Sequence, residues 1–364
     1  MWQVEHRAFN QTTHNGHRWS AKGLTKQQRA VLLLQMASSH DDPVFICADH
    51  SRFDAHVNAQ LLKVEHGVYK RCFHFNKDLT RLLDMQINNQ GETVGGIKYK
   101  CRGKRMSGDC NTALGNSIIN YCMLSAWLLD SGVEGSILLD GDDSIVVVDR
   151  NKLPQMANLA SYMLNFGMVT ESEVVEDVRE AEFCQSRVVY STKGPYFCPN
   201  PRKLLDTIRR SPQNVARHEA LPILRASIAC ELVANPSMPM LKPYADWLAK
   251  HPGCLKLPDS MQYRVREGYG IHELLIGKWH EPTDDERVSF FKAWGITPVE
   301  QRAFEDEVHF ASYVGSKEPK YRLRAGPTAE ACRADEIPWE VDPDSCFDMT
   351  KPDWSEQPEA FQGL

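Results

Sequence analysis

The residues of this 364-residue chain with the most evident chemistry are aspartates at the ends of apolar runs. Ser136 to Val148 reads Ser-Ile-Leu-Leu-Asp-Gly-Asp-Asp-Ser-Ile-Val-Val-Val, two aliphatic runs around Asp140, Gly141, Asp142 and Asp143. Such flanks form buried strands, and an Asp-Gly centre forms a tight turn. Carboxylates held this close repel one another and resist full ionisation unless a cation sits among them. The usual cation is a divalent metal with oxygen ligands. Taken alone, such a hairpin is more often a solvated turn. The EF-hand ligand spacing is absent, so any partners must come from elsewhere in the chain.

Two other stretches offer them. The apolar run Val44 to Ala48 ends in Asp49, with Asp54 after His50-Ser-Arg-Phe. Alone, this is as easily a strand end with a capping Asp. Ser107-Gly108 reads as a loop, and Thr112 begins a helix running to about Asp130. Thr112 and Asn116, at i and i+4, share one face of that helix. Taken alone, such a pair is more often simple capping. In combination the three stretches carry more. Carboxylates from adjacent strands suit phosphoryl transfer with two metals about 3.5–4 Å apart. Asp54, Thr112 and Asn116 suit reading a ribose, whose 2′-OH separates RNA from DNA precursors. That reader argues against a two-metal nuclease or integrase, which needs no 2′-OH sensor.

Asp49-x4-Asp54, Ser107-Gly-x3-Thr112-x3-Asn116 and Gly141-Asp-Asp143 resemble motifs A, B and C of the RNA-dependent RNA polymerases of positive-strand RNA viruses. The phrases DHSRFDAHV, RMSGDCNTALGN, EFCQS, KGLTKQQR and FFKAWGITPVEQRAFE are similar to the tombusvirus family and its relatives, over roughly Arg18 to Glu305. A reverse transcriptase fits less well, lacking this Asn-bearing helix. The resemblance implies an α+β right-hand polymerase: a palm of antiparallel sheet with packed helices, partial fingers and a helical thumb. Its expected layout is partial fingers over 1–42, palm motif A over 43–54, a fingers insertion over 55–105, palm motifs B to E over 106–200, thumb over 201–325 and a flexible acidic tail over 326–364. The implied activity is template-dependent transfer of nucleotides from NTPs to an RNA 3′-hydroxyl, for viral genome replication.

Carried over by resemblance, Asp49 and Asp142 are metal ligands with Asp143 as accessory carboxylate, holding two Mg2+ with Mn2+ as substitute. Asp54 and Asn116, assisted by Thr112, form the ribose-sensing pair, and Ser107 and Gly108 contact the nascent base pair. Phe183, Cys184 and Gln185 match motif E, a hairpin that grips the primer. Two basic clusters are further RNA candidates: Lys98 to Arg105, with Arg105 as a phosphate-facing residue, and Arg202-Lys203 with Arg209-Arg210. The implied setting is host cytoplasm, at membrane-associated replication complexes reached through other viral factors.

The chain departs from the pattern twice. The family usually has Asn or a small polar residue before Gly-Asp-Asp; here it is Asp140, read as a solvated extra carboxylate. A basic motif F should precede motif A and face the triphosphate. None of Arg7, Arg18, Lys22, Lys26 or Arg29 forms a convincing copy. An N-terminal replicase segment or partner protein is therefore the expected source of the missing fingers. The competing reading is a catalytically incomplete RNA-binding replication subunit.

The composition suits this. At 42% hydrophobic and 25% charged the chain is an ordinary globular one, with no apolar run of membrane-spanning length and no apolar leader. Eleven scattered cysteines without Cys-x-x-Cys read as reduced thiols. From Gly326 onward ten acidic residues face only Arg333 and Lys351, a net of −8, whereas the whole chain carries −6, so the rest sums to +2. Around the motifs, Thr25 and Gln28 predict a capping box opening a helix to about Ala37. A continuous helical pattern runs from Ala55 to about Gln86, and another from Leu153 to about Phe166. A hairpin is expected over Thr93 to Cys101, a second through Val188-Val-Tyr and Tyr196-Phe-Cys, and helices from Lys203 to about Phe310. Residues 1 to about 22 show no clear period.

Overall fold

The computed structural model describes residues 2–93, 95–208, 217–251, 253 and 279–307. Helix α1 (Trp2–Gln11) forms where no period was legible. It leads through the short pair β1 (Thr13–His14) and β2 (His17–Arg18) to α2 (Lys26–Ser38). The capping box at α2 is present: Thr25 Oγ1 accepts from Gln28 N at 3.2 Å, and Gln28 Oε1 accepts from Thr25 N at 2.9 Å. Strand β3 (Pro43–His50) follows.

The predicted single helix from Ala55 to Gln86 is three: α3 (Phe53–His56), α4 (Ala59–Cys72) and α5 (Lys77–Met85). Asparagines make the cuts. Asn58 Oδ1 accepts from the amides of Gln60 and Leu61, and Asn76 Oδ1 from Leu79. A side chain that caps a new helix ends the old one. The next hairpin is β4 (Asn88–Glu92) with β5 (Lys98–Arg102), starting earlier than expected. Helix α6 (Thr112–Ser131) stops at Gly132, whose φ of 62° is the left-handed C-terminal turn glycine favours.

Strands β6 (Ser136–Asp140) and β7 (Asp143–Asp149) are the two aliphatic runs. The predicted helix over Leu153–Phe166 is interrupted: a 3-10 turn containing Pro154, then α7 (Leu159–Met163) capped by Asn158. Proline removes an amide donor and breaks the ladder. Strand β8 (Thr170–Val175) forms in a stretch whose residues read as irregular chain or a short strand. Hairpin β9 (Ser186–Ser191) with β10 (Gly194–Pro199) and helices α8 (Pro201–Thr207), α9 (Arg217–Ala234), α10 (Lys242–Lys250), α11 (Asp284–Trp294) and α12 (Pro298–Glu307) complete the described chain. Arg209, Arg210, Pro252, Pro258 and the acidic tail lie outside the described residues.

The organising layer is an antiparallel sheet in the order β6-β7-β3-β8. Ala48 pairs with Ser144, Leu138 with Ile145 and His50 with Thr170. Its central strands are buried on both faces, and their side chains alternate between two cores. Val44, Ile46, Ile137, Leu139, Val146 and Val148 pack with Leu62, Ile119, Trp127 and Met163 of the helices on one face. Phe45, Leu138, Ile145 and Val147 pack with Leu33 and Met36 of α2 and with Phe183, Val188 and Phe197 on the other. Each such side chain contributes about 1.5–3 kcal/mol on burial. A third core joins β9 and β10 to the C-terminal helices through Tyr196, Ile228, Leu241, Trp247 and Phe290. The mixed helix and sheet composition matches the α+β expectation. Among the described residues no helix is long and apolar enough to cross a membrane.

Candidate active site

Strand pairing brings the acidic residues together. Because Ala48 is the β3 partner of Ser144, Asp49 leaves β3 beside Asp143 at the start of β7. Asp140 and Asp143 are themselves paired across the β6–β7 turn. Gly141, with φ of 75°, takes the left-handed position of that turn. Asp49 is exposed; Asp142 and Asp143 are half-buried. Burial, then the charges of Asp142, Asp49 and Asp140, raise Asp143 to about 6, while the backbone amide of Cys184 opposes the rise. Burial, then Asp54 and Asp49, raise Asp142 as well, with its own amide and His50 opposing. Carboxylates in one another's field with raised affinity for protons have the same need for a cation.

Among the described residues no three His, Cys, Asp or Glu side chains are placed so that they could hold a metal ion by themselves. The donor set nonetheless suits a hard divalent ion. Mg2+ characteristically takes one or two carboxylates and completes its shell with water and substrate phosphate, without an all-protein cage.

What holds the turn was not legible in the sequence. Asn120, one helical turn beyond Asn116 on α6, is fully buried. Its Nδ2 donates to the carbonyls of Gly141 (3.1 Å) and Asp142 (2.9 Å). Its Oδ1 therefore faces His50 Nε2 at 3.1 Å, and His50 Nδ1 meets Thr170 Oγ1 at 2.7 Å. This pattern requires the proton on Nε2, and burial lowers the His50 pKa, keeping the ring neutral. Ser117 Oγ accepts from Gly141 N at 3.2 Å. The one available signal was the run of polar residues, Asn116, Ser117 and Asn120, in an otherwise apolar helix.

Asp140 corrects the expectation of a solvated carboxylate. Its side chain is only 10% exposed and pairs with Lys22 Nζ and, at 2.7 Å, with Arg29 Nη2. The bare Asp-Gly turn gave no hint of α2 lying alongside. Arg29 also donates to Cys184 Sγ at 3.7 Å, so one guanidinium touches both the acidic turn and the Phe183–Ser186 turn. In that second turn Phe183 and Ser186 exchange backbone hydrogen bonds, and Cys184 and Gln185 sit at φ 49° and 56°. Two left-handed central residues define a type I′ turn, normally Asn-Gly. Ordinary residues there cost roughly 1–2 kcal/mol each. Phe183 is core, which corrects its reading as an RNA contact; Cys184 is half-buried and Gln185 exposed. Lys203 Nζ reaches Gln185 Oε1, and Arg202 beside it is exposed.

Of the ribose-reading candidates, Asp54 and Asn116 are joined: Asn116 Nδ2 donates to Asp54 Oδ1 at 2.7 Å. Ser107 Oγ donates to Asp54 Oδ2, and Gly108 lies in the exposed turn after it. Thr112 is directed elsewhere, its hydroxyl donating to Met106 O at 2.8 Å and closing the loop. Arg105 is the clearest correction. It is not on a phosphate-facing rim; its side chain is 0% exposed, ion-paired with the equally buried Glu65. A lone charge cannot be buried cheaply, so a basic run in sequence does not say which member found an internal partner.

Comparison with known proteins shows the family to which the chain belongs. Residues 3–313 match the family of viral RNA-dependent RNA polymerases. The RNA-directed RNA polymerase of Maize chlorotic mottle virus is 32% identical over 295 residues, covering 78% of this chain and 30% of that protein. Those of Carnation ringspot virus (31% over 307 residues, 80% and 39%) and Melon necrotic spot virus (32% over 296 residues, 79% and 37%) are similar too. This chain belongs to the viral RNA-dependent RNA polymerase family. It spans between 30% and 39% of the length of these relatives.

Proposed function

We propose that this chain carries the catalytic palm of a viral RNA-directed RNA polymerase. The reaction is template-dependent addition of nucleotides from NTPs to an RNA 3′-hydroxyl, in the service of genome replication. The observation that carries this reading is the meeting of Asp49, Asp142 and Asp143 at one end of the sheet, mutually repelling and with no cation paired to them among the described residues. The sheet with α6 and α7 is read as palm, 1–42 and 55–105 as parts of the fingers, and the helices from α8 onward as thumb.

Asp49 and Asp142, with Asp143 in support, would hold two Mg2+, or Mn2+ in their place. When bound, such ions lower the pKa of an attacking hydroxyl and neutralise the leaving pyrophosphate. The protein's own contribution is positional. Asn120 and Ser117 fix the Gly141–Asp142 backbone, so the carboxylates are presented without searching. Asp54 and Asn116 offer an acceptor and a donor to the ribose 2′-OH. Gln185, Arg202 and Lys203 line an exposed polar edge suited to the RNA backbone. RNA, NTPs and host cytoplasmic replication complexes at membranes are the corresponding partners and setting.

A second reading, a subunit that needs fingers from a partner or an N-terminal replicase segment, draws on a specific observation. Lys22 and Arg29 are paired with Asp140, and Lys26 Nζ donates to Asn235 Oδ1 at 2.9 Å. These upstream cations are engaged in holding the fold, so the triphosphate's counter-charges come from another source.

The test is labelled NTP incorporation by the purified chain on an RNA template with Mg2+ or Mn2+, alone and with an added upstream replicase segment. Template-directed product in either arm supports the polymerase reading, and product only with the added segment supports the second. No product in both arms overturns catalysis by this chain, and product that survives Asp142→Ala overturns the site assignment.

A further inference from the structure

Two buried ion pairs lie outside the acidic turn: Arg287 with Glu305 among the C-terminal helices, and a second beside the ribose-reading candidates. Glu65 on α4 and Arg105 before α6 are both 0% exposed at their side chains and are ion-paired. Replacing such a pair by well-packed apolar residues is often neutral or stabilising, so stability alone does not account for its presence. Its contacts do. Arg105 Nε donates to Asn116 Oδ1 at 3.1 Å while Nη2 reaches Glu65 Oε2. Glu65 Oε1 accepts from Asn111 Nδ2 at 2.7 Å, and Asn111 Oδ1 accepts from Gln86 Nε2 at 2.8 Å. Every link has a defined donor and acceptor sense, ending on the amide of Asn116.

That sense matters because an Asn amide can turn over. With Oδ1 held by Arg105, Nδ2 is the group left to face Asp54, and it donates to Asp54 Oδ1 at 2.7 Å. Turned over, the amide would set its oxygen against a carboxylate. The backbone is tied into the same unit: Arg105 N donates to Asp54 O at 3.1 Å. Gly115, next to Asn116, leaves room for the pair to approach α6. A Cβ there would collide with Glu65 Oε1 and Arg105 Nη2.

We propose that the buried Glu65–Arg105 pair is a positioning device for ribose selection, fixing the Asn116 amide so that Asp54 and Asn116 together recognise a 2′-OH. Arg105 and Glu65 touch no substrate; they act through Asn116. The inference rests on the ribose-reading role proposed above for Asp54 and Asn116. A guanidinium is required because it donates along two directions at once; an ammonium keeps the charge without the fork.

The test compares the full chain with Arg105→Lys and with the doubly neutralised Glu65→Gln/Arg105→Gln, which leaves no unpaired buried charge should the single variant fail to fold. Equilibrium binding of ATP and of 2′-dATP, each with Mg2+, is measured for all three, with thermal melting as the folding control. The wild-type chain is expected to prefer ATP, and the folded variants to lose about tenfold of that preference, since a site built to hydrogen-bond a hydroxyl rejects the analogue lacking it. A variant that weakens both nucleotides equally, leaving the ratio unchanged, marks the pair as merely structural and overturns the inference while the ribose reader stands. A wild-type chain that binds both nucleotides equally overturns the ribose reader and the inference with it.

Discussion

Two groups of acidic residues lie at the ends of α6 and the central sheet, and they are built in opposite ways. Around Asp54 the side chains bond to one another: Asn116 and Ser107 donate to its two oxygens, and Arg105 pairs with Glu65 behind them. At Asp142 and Asp143 the neighbours are further carboxylates, and the hydrogen bonds from Asn120 go to backbone carbonyls instead of side chains. The first group is a finished shape, ready to recognise something neutral such as a hydroxyl. The second has a fixed backbone and, among the described residues, no cation paired with Asp142 or Asp143, so a proton or a cation relieves its repulsion. Rigidity is present in both; side-chain donors to the carboxylate itself are present in one.

The largest effect should come from removing a carboxylate of the unfinished group. Asp142→Ala is expected to lower nucleotide incorporation on the order of 10³-fold, while the metal-free protein melts no lower than wild type, because the repulsion is relieved and the backbone carbonyl that Asn120 holds is retained. A lower melting temperature would show that Asp142 is compensated after all. Asn120→Ala breaks the rigidity that both groups share. It leaves His50 and two turn carbonyls without their partner and is expected to cost about 1–3 kcal/mol in denaturant unfolding. Incorporation should fall about 10- to 100-fold through misplaced carboxylates.

Asp140→Asn separates the two kinds of acid most directly, since Asp140 belongs to the acidic turn yet is already neutralised by Lys22 and Arg29. It is expected to cost about 1 kcal/mol in denaturant unfolding with incorporation reduced only a few-fold. A loss as deep as that of Asp142→Ala would make it a functional carboxylate. The smallest effect concerns pH. Asp143 titrates near 6 when folded, above its ordinary value of 3.8. The folded state therefore binds the proton more tightly, and its contribution to stability is full below 3.8 and is lost as pH rises through 6. The metal-free melting temperature should thus be a few degrees higher at pH 5 than at pH 7. Added Mg2+ should raise it at pH 7 and hardly at all at pH 5. Stabilisation of equal size at both values would place the ion elsewhere.

The sequence disclosed what local chemistry controls. The aliphatic runs either side of Asp140–Asp143 became β6 and β7, Val44–Asp49 became all but the two end residues of β3, and Thr25 with Gln28 capped α2. Even the pairing of Asn116 with Asp54 was anticipated by resemblance. What stayed hidden was whatever depended on a partner far along the chain. Nothing near Arg105 shows that Glu65, 40 positions earlier, lies against it. The neutralisation of Asp140 depends on Arg29, 111 positions away. Helix limits failed for a nearer reason: Asn58, Asn76 and Asn158 read as unremarkable polar positions within a continuing apolar period, yet each caps a new helix.

The borders of the central sheet carry one more consequence. At the β6 border, Trp19 and Ala21 exchange backbone hydrogen bonds with Leu139, closing part of that margin. At the other border β8 has no further strand beside it among the described residues, and its exposed run is Glu171-Ser172-Glu173-Val174. An unpaired strand is a template on which a second molecule can stack, and charge along it is a standard deterrent. Two such borders brought together would oppose glutamate to glutamate. The sheet that assembles the acidic turn thus also carries, on its β8 border, charge that opposes the addition of a fifth strand.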